Sequence, residues 1–195
     1  MAQLMDSITQ LLGGDTTKQI SNQLGTDEGT TQSAIAAAVP MLLAGLARNS
    51  ASPDGAAALH GALAKDHDGS ILDNLGGFLG NAQAGPGGGI LGHLLGARQP
   101  LAEEAVSNSS GLDRQRTAQL LMILAPIVMG MIGRARQQKN LDAPGLAGML
   151  GQEHERLAQT SPGLMGLATR LFDKDGDGSI TNELSGIAGK LFGGR

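Results

Sequence analysis

The residues with the clearest chemical potential are three aspartates at alternate positions near the end of the sequence, Asp173, Asp175 and Asp177. Gly178 follows the third of them. Carboxylates in this spacing converge on one point, and the glycine lets the backbone turn tightly around a hard, oxygen-seeking cation. The pattern therefore predicts a calcium-binding loop.

The remaining ligands follow from the usual order of positions in a calcium loop. Position 7 supplies a backbone carbonyl and position 12 a bidentate glutamate. Counted from Asp173, position 7 is Ser179 and position 12 is Leu184, which offers no ligand, while Glu183 stands one residue earlier. We expect Glu183 to close a shortened site with a Kd on the order of 10⁻⁵ to 10⁻³ M. The predicted Ca²⁺ ligands are Asp173, Asp175, Asp177, Ser179 and Glu183.

A weaker copy of this loop lies upstream. It keeps Asp66 and Asp68, but Ala64 stands where the first aspartate should be. Ser70 and Asp73 have the spacing of a helix capping box. Capping alone therefore explains the upstream copy, where we do not expect a metal, and it remains an alternative explanation for the downstream loop.

The two loops belong to an internal duplication. Gly25 matches Gly111, an offset of 111 − 25 = 86, whereas Asp66 matches Asp175, an offset of 175 − 66 = 109. The difference, 109 − 86 = 23 residues, corresponds to one inserted helix with its turn, which we place within residues 141–160. We predict that the two repeats share one hydrophobic core. The predicted units are a first repeat over 1–83, a glycine-rich linker over 84–89, and a second repeat over 90–195 with the inserted helix and the calcium loop.

The elements that carry these residues are predicted to be helices. No segment shows sustained alternation of apolar and polar residues, and apolar residues recur at helical spacing throughout. The fold class is therefore an all-α, multihelical and internally duplicated bundle. The predicted helices cover 3–12, 15–24, 28–48, 53–64, 71–79, 89–96, 98–108, 114–137, 143–159, 162–172 and 180–192.

Two apolar runs, 35–47 and 120–133, raise the question of a membrane. Each is shorter than the roughly 18 apolar residues that a membrane span needs, and each carries a central proline, Pro40 or Pro126. We interpret both as buried core helices kinked at the proline, so a membrane role is not expected. The N-terminal residues lack a basic leader and a long apolar stretch, which predicts a cytoplasmic protein, with leaderless export still open.

Composition and motifs argue against several functional classes. A net charge of −4 gives no electrostatic reason to bind nucleic acid. The G-x-G-x-x-G pattern over 87–92 follows a linker rather than a strand, so we expect no dinucleotide cofactor. The Glu-His-Glu triplet at 153–155 has consecutive residues that do not face one another on a helix, which indicates a solvated surface. Without a recognisable nucleophile, acid or base arrangement, we expect neither an enzyme nor a small-molecule substrate.

Three segments carry a resemblance to a known family. They are Leu112-Asp113 ahead of the second apolar run, residues 146–150, and residues 171–179 followed by a glycine- and leucine-rich stretch. Together they resemble the bacterial family of unknown function that includes the YidB-like proteins, domain-of-unknown-function family nine hundred and thirty-seven. The resemblance implies a small multihelical bacterial protein, often with this aspartate loop, and no established activity. The loop also resembles EF-hand calcium loops, from which it departs at Leu184.

These observations favour a non-enzymatic, calcium-binding structural or interaction protein. In this hypothesis Ca²⁺ orders the C-terminal helix for binding a protein partner or for self-association into an oligomer. One alternative is a cytoplasmic regulatory or adaptor protein in which the aspartate loop is only a helix cap. Another is a subunit of a larger assembly or filament.

Overall fold

The computed structural model describes residues 4–82 and 85–160, together with residues 163 and 166. Within these residues the chain forms nine α-helices and short 3₁₀ helices, and no strand, which confirms the all-α fold class. The predicted helix over 180–192, and all but two residues of the one over 162–172, lie outside the described residues. The helices are α1 Leu4–Leu11, α2 Asp15–Leu24, α3 Glu28–Asn49, α4 Pro53–Lys65, α5 Leu75–Gly80, α6 Gly87–Leu95, α7 Gln99–Ser110, α8 Arg114–Gln138 and α9 Ala143–Thr160.

One helix differs from its prediction. The segment 71–79 was expected to be a single helix, but the chain forms a 3₁₀ helix, Ser70–Asn74, followed by α5. Asn74 leaves the helical region with φ −137°, and its side chain accepts a hydrogen bond from the Gly77 N–H at 3.2 Å. This side-chain cap starts a new helix and so separates the two elements.

The two longest helices, α3 and α8, begin with the same local structure. The Asp27 carboxylate accepts a hydrogen bond from the Thr30 N–H at 2.8 Å, and the Asp113 carboxylate accepts one from the Arg116 N–H at 3.0 Å. Hydrogen bonds from Thr30 lower the pKa of Asp27, and those from Arg116 lower the pKa of Asp113. Both aspartates therefore act as ionised N-caps, at positions that the offset of 86 residues relates (113 − 27 = 86).

Both helices continue through their internal prolines, Pro40 and Pro126, and are longer than the apolar runs seen in the sequence. By length and composition alone, each contains a stretch apolar enough to cross a membrane. The protein itself buries 72% of that stretch in α3 and 67% of it in α8. Burial of this extent is what core helices require.

The hydrophobic core is built around these two helices. α3 contacts α7, α8 and α9, while α8 also contacts α6. One continuous cluster of buried apolar side chains contains residues from both predicted repeats. The inserted helix α9 lies against α3 and α4 and buries Leu146, Leu150 and Leu157. The boundaries of the repeats stay a prediction.

Candidate functional site

The predicted calcium site lies outside the described residues. All five of its residues, Asp173, Asp175, Asp177, Ser179 and Glu183, belong to the part of the chain beyond residue 166. Among the described residues, no group of three or more His, Cys, Asp or Glu side chains could hold a metal ion. The calcium ligands therefore stay a prediction, and the upstream copy of the loop is the one whose geometry is known.

The upstream copy forms a tight turn that ends in the 3₁₀ helix. Gly69 has φ +101°, a left-handed conformation that glycine adopts without strain. The Asp68 carboxylate accepts a hydrogen bond from the Ser70 N–H at 2.9 Å, and hydrogen bonds from Ser70 lower its pKa. Capping of this turn is thus observed, but Asp68 provides it rather than the predicted box of Ser70 and Asp73. The turn at Gly69 causes the difference, since it brings the Ser70 N–H back over the Asp68 side chain.

A cationic side chain from the second repeat binds this turn. The Arg134 guanidinium on α8 donates hydrogen bonds to the Gly69 carbonyl oxygen at 2.9 Å and to the Asp73 carboxylate at 2.5 Å. The Asp73 side chain is 73% exposed, so this ion pair contributes little by Coulomb attraction alone. Its structural effect is to fix the turn of one repeat on the long helix of the other.

Two glycines of α8 make this close approach possible. A Cβ atom added to Gly133 would lie 1.9 Å from the His67 carbonyl oxygen, and one added to Gly130 would lie 2.6 Å from the Ile71 Cγ2 atom. Neither distance is compatible with van der Waals contact. We call Gly130, Gly133 and Arg134 the α8 notch. The sequence analysis did not identify this notch. The available signal was a pair of glycines three residues apart, followed by an arginine that recurs at the offset of 86 residues.

A second feature is an open cleft of about 900 Å³ between α1, the start of α2, the end of α8 and α9. Its residues include the half-buried Leu4, Leu11, Met131 and Met149 and the basic Arg134, Lys139 and Arg156. Arg134 is paired with Asp73, and Arg156 is paired with Glu153. Because two of the three cations are compensated, the cleft has no concentrated positive charge that would select an anionic ligand.

A comparison with known families assigns the chain. A family model described as "Bacterial protein of unknown function (DUF937)" matches residues 6–135. The chain belongs to this family. The match ends within α8, so it covers neither the inserted helix nor the aspartate loop. No curated protein matches the chain, and no solved structure matches it.

One residue of this DUF937 protein departs from its sequence-based interpretation. Glu153 was expected on a solvated surface together with its two neighbours, but it is only 6% exposed. Its carboxylate accepts a hydrogen bond from the Met5 N–H at 3.1 Å and pairs with Arg156 at 3.3 Å. Glu155 is exposed as expected, and His154 is partly buried. Glu153 therefore ties α1 to α9, and the start of α1 supplies the donor that makes its burial possible.

We expect a pH dependence of stability from two partly buried histidines. Burial lowers the pKa of His67, with Asp66 acting in the opposite direction, and burial likewise lowers the pKa of His154 against Glu155. The unfolded chain, with an ordinary His pKa of about 6.5, then binds protons before the folded chain does. Stability should fall as the pH drops below about 6.5.

Thermal melts at about pH 7.5 and about pH 5 measure this effect. We expect a lower Tm at the acidic pH in the wild type and a smaller drop in His67→Gln and in His154→Gln. Caps such as Asp68 titrate at lower pH, because hydrogen bonds from Ser70 hold the pKa of that carboxyl below its ordinary value, so they do not account for this window. An identical drop in all three proteins would contradict the assignment to these histidines.

Proposed function

We propose that this protein is a non-enzymatic, calcium-binding structural or interaction protein. The loop over 173–183 binds one Ca²⁺, and the ion orders the C-terminal helix for binding a protein partner or for self-assembly. The observation that supports the proposal is the way the upstream copy is held, with an arginine guanidinium on its carbonyl and carboxylate oxygens. In the upstream copy a guanidinium occupies the oxygen atoms of the turn, whereas the downstream copy has three alternate aspartates that can bind a metal ion.

The difference between the copies lies in their acidic residues. The upstream loop has Ala64 at the first ligand position, and the carboxylate of its Asp73 is paired with Arg134. The downstream loop retains Asp173, Asp175 and Asp177. Three carboxylates that converge on one point repel one another until a cation neutralises them. The downstream copy therefore gains from a bound metal ion, whereas the upstream copy does not.

In a second candidate function, the aspartate loop is a helix cap and binds no calcium. Asp68 in the upstream copy is a cap, so its counterpart Asp177 (68 + 109 = 177) could serve the same purpose. The protein would then be a cytoplasmic regulatory or adaptor protein, or a subunit of a larger assembly, in which calcium plays no part. Calcium binding separates the two candidates.

Isothermal titration calorimetry on the full chain tests the proposal, with a matched pair of variants. We expect the wild type to bind one Ca²⁺ with a Kd on the order of 10⁻⁵ to 10⁻³ M, and Asp175→Ala to bind at least about tenfold more weakly. The control is Asp66→Ala, which removes the equivalent residue of the upstream loop (66 + 109 = 175) and should leave binding unchanged. Equal titrations for Asp175→Ala and the wild type would favour the second candidate.

Light scattering tests the second half of the proposal. We expect calcium to change the mass of the protein or its capture of a partner, and a chain truncated after Leu171 to lose that response. If the ion is bound while mass, melting temperature and partner capture all stay constant, the loop is a passive brace.

A further inference from the structure

A histidine and an arginine meet where α4, α8 and α9 come together. His60 lies on α4, Arg136 lies in the last turn of α8, and Leu141 lies between α8 and α9. The His60 Nε2 atom is 3.1 Å from the Arg136 Nη1 atom and 3.2 Å from the Leu141 carbonyl oxygen. One ring nitrogen therefore lies between a donor and an acceptor.

This nitrogen cannot bind both of its neighbours. Arginine has only N–H donors, so the contact with Arg136 requires a lone pair on the His60 Nε2 atom and assigns the ring proton to Nδ1. A hydrogen bond to the Leu141 carbonyl oxygen requires the opposite, a proton on Nε2. Either the arginine or the carbonyl group is therefore left without the histidine as its partner.

Arg136 lacks further acceptors. Its Nε atom is buried and has no hydrogen-bond partner. Within residues 4–82 and 85–160 the guanidinium also pairs with no carboxylate, whereas four other arginines do. The C-terminus of a helix favours a positive charge, which explains the arginine but not its missing acceptors. Buried polar groups without partners are rare in proteins, and a bound ion or water commonly explains them.

The two side chains face an open cavity of about 440 Å³, a size at which small ligands bind. The residues that line it are His60, Arg136, Gln137, Asn140, Leu141 and Asp142. The two side-chain amides add N–H donors to the arginine. Asp142 is the one carboxylate in the described part of this lining, and it already accepts a hydrogen bond from the Gly145 N–H at 2.8 Å as the cap of α9. The cavity therefore has more donors than acceptors.

We propose that this cavity binds a small free carboxylate between Arg136 and His60. A carboxylate accepts two N–H groups of one guanidinium side by side, so it supplies the acceptor that Arg136 lacks. The His60 Nε2 atom is then released from the arginine. Its ring proton moves from Nδ1 to Nε2 by exchange with solvent, and Nε2 donates to the Leu141 carbonyl oxygen. The ligand thus resolves the two incompatible contacts, and the site is independent of the aspartate loop.

The charge of the cavity favours a carboxylate over a phosphate group. The negative charge of Asp142 offsets the positive charge of Arg136, so the additional charge of a phosphate group gains nothing and still costs solvation. Asp142→Asn removes this negative charge and keeps an oxygen that can cap α9. This variant should bind acetate at least about threefold more tightly than the wild type.

Nuclear magnetic resonance of the imidazole nitrogens in the wild-type protein tests the site. At constant ionic strength, acetate should move the His60 Nε2 signal from that of an unprotonated nitrogen to that of a protonated one, with half-saturation at about 1–10 mM. Inorganic phosphate should bind several-fold more weakly. His60→Gln identifies the signal, and His93, which is exposed on α6, should not respond.

A matched pair of variants separates this site from general effects of charge. Arg136→Gln should weaken acetate binding at least about tenfold, because it removes the guanidinium. Lys139→Gln removes the same net charge three residues away, from a side chain that lines the larger cleft and not this cavity. Acetate binding should therefore be unchanged in Lys139→Gln.

Three results would contradict the proposal. An unchanged His60 signal at roughly 100 mM acetate, well above the expected half-saturation, would overturn the site, and this measurement needs only the wild type if Arg136→Gln fails to fold. Equal weakening in Arg136→Gln and Lys139→Gln would mean non-specific ion binding. Phosphate that binds as tightly as acetate would overturn the preference for a carboxylate.

Discussion

Replacing Gly133 by alanine should lower the free energy of unfolding by about 2–3 kcal/mol, because the new methyl group has no room. Its carbon would lie 1.9 Å from the His67 carbonyl oxygen, so the upstream turn must move away from α8 and weaken its hydrogen bonds to Arg134. In a chain of this length the change corresponds to a fall in Tm of roughly 5–10 °C. Differential scanning calorimetry measures it directly.

The matched control reverses the sign of the effect. Gly148 lies on the exposed side of α9, and a Cβ atom added there meets nothing within 4 Å. Alanine is the better helix former, so Gly148→Ala should stabilise the protein by about 0.5–1 kcal/mol. If Gly133→Ala also stabilised the protein, that result would contradict the close approach of the upstream turn to α8.

Replacing Glu153 by alanine should destabilise the protein by about 2 kcal/mol. The substitution removes the acceptor of the Met5 N–H and the partner of Arg156, both of which are then partly buried without compensation. Arg156 retains 32% exposure of its side chain and recovers some solvation, which keeps the loss below that of a fully buried pair. Urea unfolding followed by circular dichroism gives the value.

Glu155 provides the control for this substitution. It is two residues away on the same helix and exposed, so Glu155→Ala should change stability by less than about 0.5 kcal/mol. A double-mutant cycle with Arg156→Ala then separates the ion pair from the hydrogen bond to α1. Equal losses for Glu153→Ala and Glu155→Ala would mean that Glu153 is a surface residue after all.

The helices could be predicted because their determinants are local. Asp113 begins α8 through a hydrogen bond to a residue three positions on, and Ser52 with Pro53 begins α4 in the same way. Such signals, together with apolar periodicity, lie within a few residues of each boundary. α5 was misplaced for a local reason as well, since the capping by Asn74 is visible only once the preceding turn is known.

The contacts that give these helices their arrangement could not be predicted. Arg134 and Asp73 are 61 residues apart, and Met5 and Glu153 are 148 residues apart. The Glu-His-Glu triplet at 153–155 is typical of an exposed surface. Glu153 is buried only because the Met5 N–H, from the other end of the chain, donates a hydrogen bond to it. Pairings at this separation leave no periodic pattern in one sequence. The duplication was the one long-range signal available in the sequence.

The attachment of the upstream loop to α8 also means that the first part of the chain cannot complete its packing until α8 has been synthesised. The chain leaves the ribosome from its N-terminus at about 5–20 residues per second, so the 61 residues between Asp73 and Arg134 take roughly 3–12 seconds to appear. During that interval α3, whose apolar stretch is 72% buried in the finished protein, has no α8 to cover it. The nascent first repeat therefore holds an incompletely covered α3 until α8 has been synthesised.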